Sequence, residues 1–300
     1  MFSGSLVALV TPMLEDGALD LEAWDRLLDL HLRSGTAAVV VGGSTGESVS
    51  LTDAEHDWLL AQARRRCAGR MAVIAGVGGS STAAVARRVQ SLADSKVDAL
   101  LVVTPAYNRP TQEGLFRHFA AVADAARAPV LLYNVPSRTA VDLLPGTVAR
   151  LAELRAIVGI KEAVGDLDRI RALLAVLPAQ FSVLSGDDAT ACESVLNGAH
   201  GVISVTANVR PAEVAAVMAA AGRGDRDVAL ALDAPLMSLH RDLSVEPNPI
   251  PVKWALAEMK LINPGIRLPL TWLSAAAQTR VRSALHAAEP VLAQSRARSA

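Results

Sequence analysis

Cysteine is scarce. The 300-residue chain has two, Cys67 and Cys192, far apart and without Cys-x-x-Cys spacing. That excludes a disulfide framework and a thiolate zinc site, and it fits a reducing compartment. No stretch reaches the ~18 uncharged apolar residues of a membrane span. The opening MFSGSLVALVTP lacks the basic segment and long apolar run of a secretory signal. The expectation is a soluble, cytoplasmic protein. Single-sign charge is also missing. The formal net charge is −1, with acids and bases interspersed, so no nucleic-acid face is expected. The one dense basic cluster, Arg64, Arg65 and Arg66, falls on a helical segment and reads as a solvated face. There is no P-loop. Gly76-Val-Gly-Gly-Ser-Ser81 follows a strand but lacks the third glycine of a dinucleotide fingerprint, and Asp94 and Asp98 precede the next strand instead of ending it. Metal-ligand clusters are absent too. The reading assigns no metal and no cofactor.

What the chain does have is alternation. Short apolar or β-branched runs alternate with Ala/Leu/Arg-rich segments of helical period. Strands are expected at Ser5–Thr11, Ala37–Val41, Met71–Ala75, Ala99–Val103, Val130–Asn134, Ile157–Lys161, Ser182–Ser185 and Gly201–Val205. Helices are expected near 20–34, 52–68, 81–95, 111–127, 144–154, 166–177, 188–197 and 210–222. The strand runs are apolar throughout, as in a parallel sheet buried on both faces. Eight β/α units in about 220 residues match a closed (β/α)8 TIM barrel, with an open doubly wound sheet as the rival. After residue 223 the strands stop. Helices near 225–243, 250–261 and 272–294 form a C-terminal helical appendage, and QSRARSA is expected to fray. The organisation expected is a barrel domain at 1–223 and a helical domain at 224–300.

In such a barrel the active site lies at the C-terminal ends of the strands. Reading those ends collects hydroxyls, two tyrosines, an arginine and a lysine, and no histidine. Lys161 is the sharpest feature. The chain has four lysines against twenty-five arginines, and Lys161 alone ends an apolar strand. An apolar strand end disfavours a charged ammonium, and a neutral amine attacks a ketone to form a Schiff base. The competing reading is a lysine that only pairs with Glu162. Tyr107, Tyr133 and Ser44 form a second constellation. Schiff-base chemistry needs proton transfers, which a tyrosine–hydroxyl relay supplies where histidine is missing. The alternative is packing tyrosines, yet these are the only two in the chain. The Gly43-Ser-Thr-Gly46 loop precedes a helix and offers N–H groups and the Thr45 hydroxyl to a carboxylate. Arg138 has the planar fork for bidentate carboxylate capture. Asp187 and Asp188 read as helix N-cap residues.

At these positions the sequence resembles the dihydrodipicolinate synthase family, within the N-acetylneuraminate lyase superfamily. The likeness runs through Gly4–Pro12, Ser44-Thr-Gly-Glu-Ser48, Tyr107-Asn-Arg-Pro110, Tyr133-Asn-Val-Pro-Ser-Arg-Thr139, Gly159-Ile-Lys-Glu162, Leu184-Ser-Gly-Asp-Asp188, Gly201-Val-Ile-Ser-Val205 and Glu246-Pro-Asn-Pro-Ile-Pro-Val-Lys253. The resemblance implies an imine between Lys161 and pyruvate. It implies a relay of Tyr133, Ser44 and Tyr107, the last reaching in from a neighbouring subunit. It implies Thr45 on the pyruvate carboxylate, Arg138 on the carboxylate of L-aspartate 4-semialdehyde, and Gly186 and Ile203 lining the pocket. It further implies a tetramer built as a dimer of dimers and a product that enters diaminopimelate and lysine synthesis. Two positions depart from the family pattern. Ser44 stands where threonine is common, and Ala106 where an aromatic commonly packs the subunit contact. A related reading is a lyase for a 2-oxo sugar acid, and a remoter one is a silent, metabolite-binding barrel. In relatives inhibited by lysine, the effector cleft falls near Ser48, His56, Ser80, Ala84 and Ala106. Such relatives commonly place an asparagine, a glutamate and an aromatic where this chain has Ser80, Ala84 and Ala106.

Overall fold

The structure, a computed structural model, describes residues 1–289. Eight parallel strands close into one barrel, each paired with its neighbour in sequence and the last with the first. They are β1 Gly4–Ala8, β2 Ala38–Val41, β3 Ala72–Val77, β4 Ala99–Val103, β5 Val130–Asn134, β6 Ile157–Glu162, β7 Ser182–Ser185 and β8 Gly201–Ser204. Crossover helices follow: α1 Leu21–Arg33, α2 Asp53–Cys67, α3 Thr82–Ser91, α4 Gln112–Ala125, a short α5 Pro136–Thr139, α6 Pro145–Leu151, α7 Leu167–Val176, α8 Asp188–Leu196 and α9 Pro211–Gly222. Both faces of the sheet are buried, as the apolar runs require. Leu6, Val40, Ile74, Leu101, Leu131, Leu184 and Ile203 fill the barrel interior. Val7, Val39, Val73, Val102, Leu132 and Val183 pack outward under the helices.

Local chemistry starts the helices where the sequence suggested. Thr52 and Glu55 close a full capping box at α2, and Asp20, Ser81, Thr111 and Asp187 cap α1, α3, α4 and α8. Asp188 instead opens α8, and its carboxylate accepts from the N–H groups of Val205 and Thr206 at the end of β8. Arg64 and Arg66 are paired on the surface with Asp98 and Asp29.

The C-terminal segment forms α10 Arg226–Asp233, α11 Met237–Asp242, α12 Ile250–Glu258 and α13 Ala275–Ala287. The sequence suggested one helix over 225–243. Pro235 sits instead in a 3-10 turn, Ala234–Leu236, that separates α10 from α11. The last helix, expected over 272–294, ends instead at Ala287 with its C-cap at Ala288, and the fraying expected of QSRARSA lies outside the described residues. Among the described residues no helix is long and apolar enough to cross a membrane.

Candidate active site at the C-terminal end of the barrel

Register brings the two central residues together. Tyr133 of β5 pairs with Lys161 of β6. The β5/β6 register shifts between Val130 and Leu131, and side chains on a strand alternate between faces. Tyr133 joins the barrel interior. Lys161 is 5% exposed, and its Nζ lies over the Tyr133 ring, 4.5 Å from the centroid. Among the described residues its nitrogen has no hydrogen-bond or ion-pair partner.

The alternative pairing with Glu162 is not what the structure shows. Glu162 is the next residue on the strand, so it faces the other side. Its carboxylate accepts from Asn134 Nδ2 at 3.0 and 3.1 Å and from the Val164 N–H at 3.0 Å. Arg169 lies 4.0 Å away and is held mainly by Asp142. Burial pushes the Glu162 carboxyl up to about 7, against the pull of Asn134 and Arg169.

Gly186 follows β7 and backs onto the lysine. A Cβ there would stand 2.8 Å from Lys161 Cε and 2.7 Å from Ala163 Cβ. Only glycine leaves Lys161 its present path. Ile203 of β8 is fully buried in the interior.

The turn after β2 carries Ser44 and Thr45. Its backbone closes on itself: the N–H groups of Gly46 and Ser48 donate to the Gly43 carbonyl, and that of Glu47 donates to the Ser44 carbonyl. Thr11 Oγ1, in the segment that follows β1, fastens it by donating to the Gly46 carbonyl at 2.7 Å. Gly76 lets β3 pass close by, since a Cβ there would meet the Gly42 carbonyl oxygen at 2.3 Å. Thr45 is buried, and its hydroxyl accepts from Asn248 Nδ2 at 2.9 Å. The Asn248 carbonyl accepts from Arg138 Nη2 at 3.0 Å. One residue of the C-terminal segment therefore joins Thr45 to Arg138. Arg138 is exposed on α5, a single helical turn that the sequence reading did not foresee. Thr139 steadies that turn through the Val135 and Val141 carbonyls, and Thr104 donates to the Thr139 hydroxyl.

Ser44 is half-buried at the same barrel end, with a hydroxyl that has no partner among the described residues. Tyr107 is different. It is 91% exposed, with a left-handed backbone at φ 73. The chain's own fold does not bring it to Lys161.

The sequence reading also passed over a fully buried ion pair, Lys253 with Glu47, beside the Thr45 turn. The signal was present: one cation in the otherwise apolar run Ile-Pro-Val-Lys-Trp-Ala-Leu. Such a residue is buried only with a partner. Asn248 gave no comparable signal.

The model of the dihydrodipicolinate synthetase family matches residues 1–288. The chain belongs to that family. A 4-hydroxy-tetrahydrodipicolinate synthase of Methylococcus capsulatus is 51% identical over 288 residues, covering 96% of this chain and 99% of its own. The crystal structure of a chloride-inhibited dihydrodipicolinate synthase from Acinetobacter baumannii, complexed with pyruvate, is 46% identical. It superimposes with a TM-score of 0.94 over 96% of this chain and 99% of that one. The 4-hydroxy-tetrahydrodipicolinate synthase of Methylacidiphilum fumariolicum is 40% identical, with a TM-score of 0.95 over 98% of each chain.

Proposed function

We propose that this chain is a 4-hydroxy-tetrahydrodipicolinate synthase, condensing pyruvate with L-aspartate 4-semialdehyde on the route to diaminopimelate and lysine. The observation that carries this is the buried, unpartnered Lys161 amine facing the Tyr133 ring. Supporting it are relatives of that name aligned over nearly the whole chain and a similar structure that holds pyruvate.

In this reading Lys161 Nζ adds to the keto carbon of pyruvate, and loss of water leaves the imine. Loss of a proton from its methyl gives the enamine that attacks the aldehyde carbon. Tyr133 moves protons at the lysine, with Ser44 as the next hydroxyl. Thr45 binds the pyruvate carboxylate. With Asn248 Nδ2 on its oxygen, the Thr45 proton is free to donate. Arg138 takes the carboxylate of the aldehyde substrate. Gly186 and Ile203 wall the pocket. No cofactor or metal enters the scheme.

Tyr107 completes the relay from a second copy of the chain. Its exposure and that of Val49, 97% exposed just after the Thr45 turn, support an apolar contact between copies. The assembly in this reading is a homotetramer, a dimer of dimers. Two buried free cysteines suit the cytoplasm.

The test is steady-state turnover. Pyruvate should be consumed only when L-aspartate 4-semialdehyde is present. Consumption independent of that aldehyde, or cleavage of a 2-oxo sugar acid in its place, would overturn the assignment.

A further inference from the structure

Lys253 stands in α12, whose residues 250–256 are all buried. Its ammonium meets the carboxylate of Glu47, and neither side chain has any exposed surface. The contact joins positions 206 apart in sequence. Glu47 is two residues beyond Thr45 and three beyond Ser44. Its backbone is left-handed, φ 56, a region that a residue with a Cβ occupies only when its surroundings hold it there.

Those surroundings come from the C-terminal segment. One Glu47 carboxylate oxygen takes Lys253. The other accepts the Arg267 N–H at 3.2 Å. The Arg267 guanidinium in turn donates to the carbonyls of Ser50 at 2.7 Å and Gly17 at 2.9 Å, and pairs with Glu55. Glu47's own N–H closes the turn onto the Ser44 carbonyl. The side chain that is gripped and the backbone that presents Ser44 and Thr45 are thus one rigid unit. A buried ion pair contributes little net stability compared with a well-packed apolar pair. What it fixes well is position, because two desolvated charges tolerate little displacement.

We propose that Lys253 is a positioning residue of the active site: by clamping Glu47 it holds the Ser44–Thr45 turn in the form that receives the pyruvate carboxylate. This rests on the reading above in which Thr45 binds that carboxylate. It gives the C-terminal helices a part in substrate binding that the barrel alone does not supply.

The test uses the full-length protein with both partners neutralised, Glu47→Gln with Lys253→Met, which leaves no unpaired buried charge. The variant should fold, with a circular dichroism spectrum like that of the parent. Its KM for pyruvate should rise roughly tenfold or more, the scale expected when a binding group is displaced, while the KM for the aldehyde stays put. The pyruvate concentration that gives half-maximal borohydride trapping should shift by the same factor. Should that variant fail to fold, Glu47→Asp carries the test. It keeps both charges but draws the carboxylate back by one methylene, and it should raise the pyruvate KM severalfold. An unchanged pyruvate KM in either folded variant overturns the proposal, because a merely structural pair would alter only the melting temperature. The parent protein is the control. If it neither traps pyruvate nor turns over, the functional reading fails, not the clamp alone.

Discussion

Lys161 and Tyr133 occupy paired positions on adjacent parallel strands, with the lysine nitrogen 4.5 Å from the centre of the tyrosine ring. The pairing depends on register. A slip of one residue would turn Lys161 outward and put Glu162 in the pocket. Asn134 and Glu162, the next pair along, are hydrogen-bonded on the opposite face. That contact pins the register from outside the barrel while Lys161 and Tyr133 face inward.

Gly186→Ala tests how tightly the lysine is placed. The added methyl would stand 2.8 Å from Lys161 Cε, so the lysine must move. We expect turnover to fall by roughly 100-fold with the fold intact. Wild-type turnover in a folded Gly186→Ala protein would show that Lys161 is not confined as described.

Arg138→Ala tests the aldehyde side. Losing a charge-assisted contact costs roughly 2–5 kcal/mol. Expected is a fall in kcat/KM for L-aspartate 4-semialdehyde by roughly 30-fold or more, while pyruvate trapping persists. Since Arg138 meets the Asn248 carbonyl rather than Thr45 itself, the pyruvate KM should move little. Near-normal kcat/KM for the aldehyde would reject this role.

Glu162 should mark the pH dependence of stability. Burial raises it to about 7 in the fold, from an ordinary 4.5. Between those values the folded state binds more protons than the unfolded one, so this group's contribution declines as pH rises through about 7. His31 and His118 act in the opposite sense. Burial lowers both to about 4, so their contribution is lost as pH falls below about 6.5. The informative quantity is therefore a difference. Denaturant melts of Glu162→Gln and wild type should diverge in favour of the variant between pH 5 and 8. A constant difference over that range contradicts the assignment.

Inhibition by lysine should be absent. A free amino acid needs an anion for its cationic ends and donors for its carboxylate. At the positions expected from the resemblance, Ser80 and Ala84 are exposed and carry no charge, and the Ser80 hydroxyl is turned onto the Ala106 carbonyl. His56 is buried against Arg88 Nη2 at 2.9 Å, and that guanidinium is already paired with Asp57 and Asp53, so this cluster is committed within the chain. Losing one charged contact costs ~2 kcal/mol, about 30-fold in affinity. Initial-rate inhibition and calorimetry with L-lysine should show nothing saturable below the millimolar range. Saturable sub-millimolar inhibition would mean that the cleft uses other residues.

The barrel was legible in the sequence because its strands announce themselves. Ala99–Val103, Val130–Asn134 and Ser182–Ser185 are apolar runs bounded by turn residues, and the structure begins and ends them at the same residues. Helix limits were softer. The segment 81–95 contracts to Thr82–Ser91 because helical ends fray without a strong stop. Lys161 stood out through rarity and an apolar context. Asn248 and Glu47 did not, because their partners lie about 200 positions away, and no local pattern encodes such a contact. Tyr107 was legible as a strand-end tyrosine, but its 91% exposure was not.

The most direct measurement is borohydride reduction in the presence of pyruvate, followed by intact mass and peptide mapping. Lys253 is the buried rival amine. Burial lowers it from its ordinary value, but Glu47 opposes that shift and occupies its nitrogen. The account predicts one pyruvate-derived adduct per chain, on Lys161, and none in Lys161→Arg, whose guanidinium stays protonated and cannot attack. An adduct on Lys253, or no adduct at all, would contradict it.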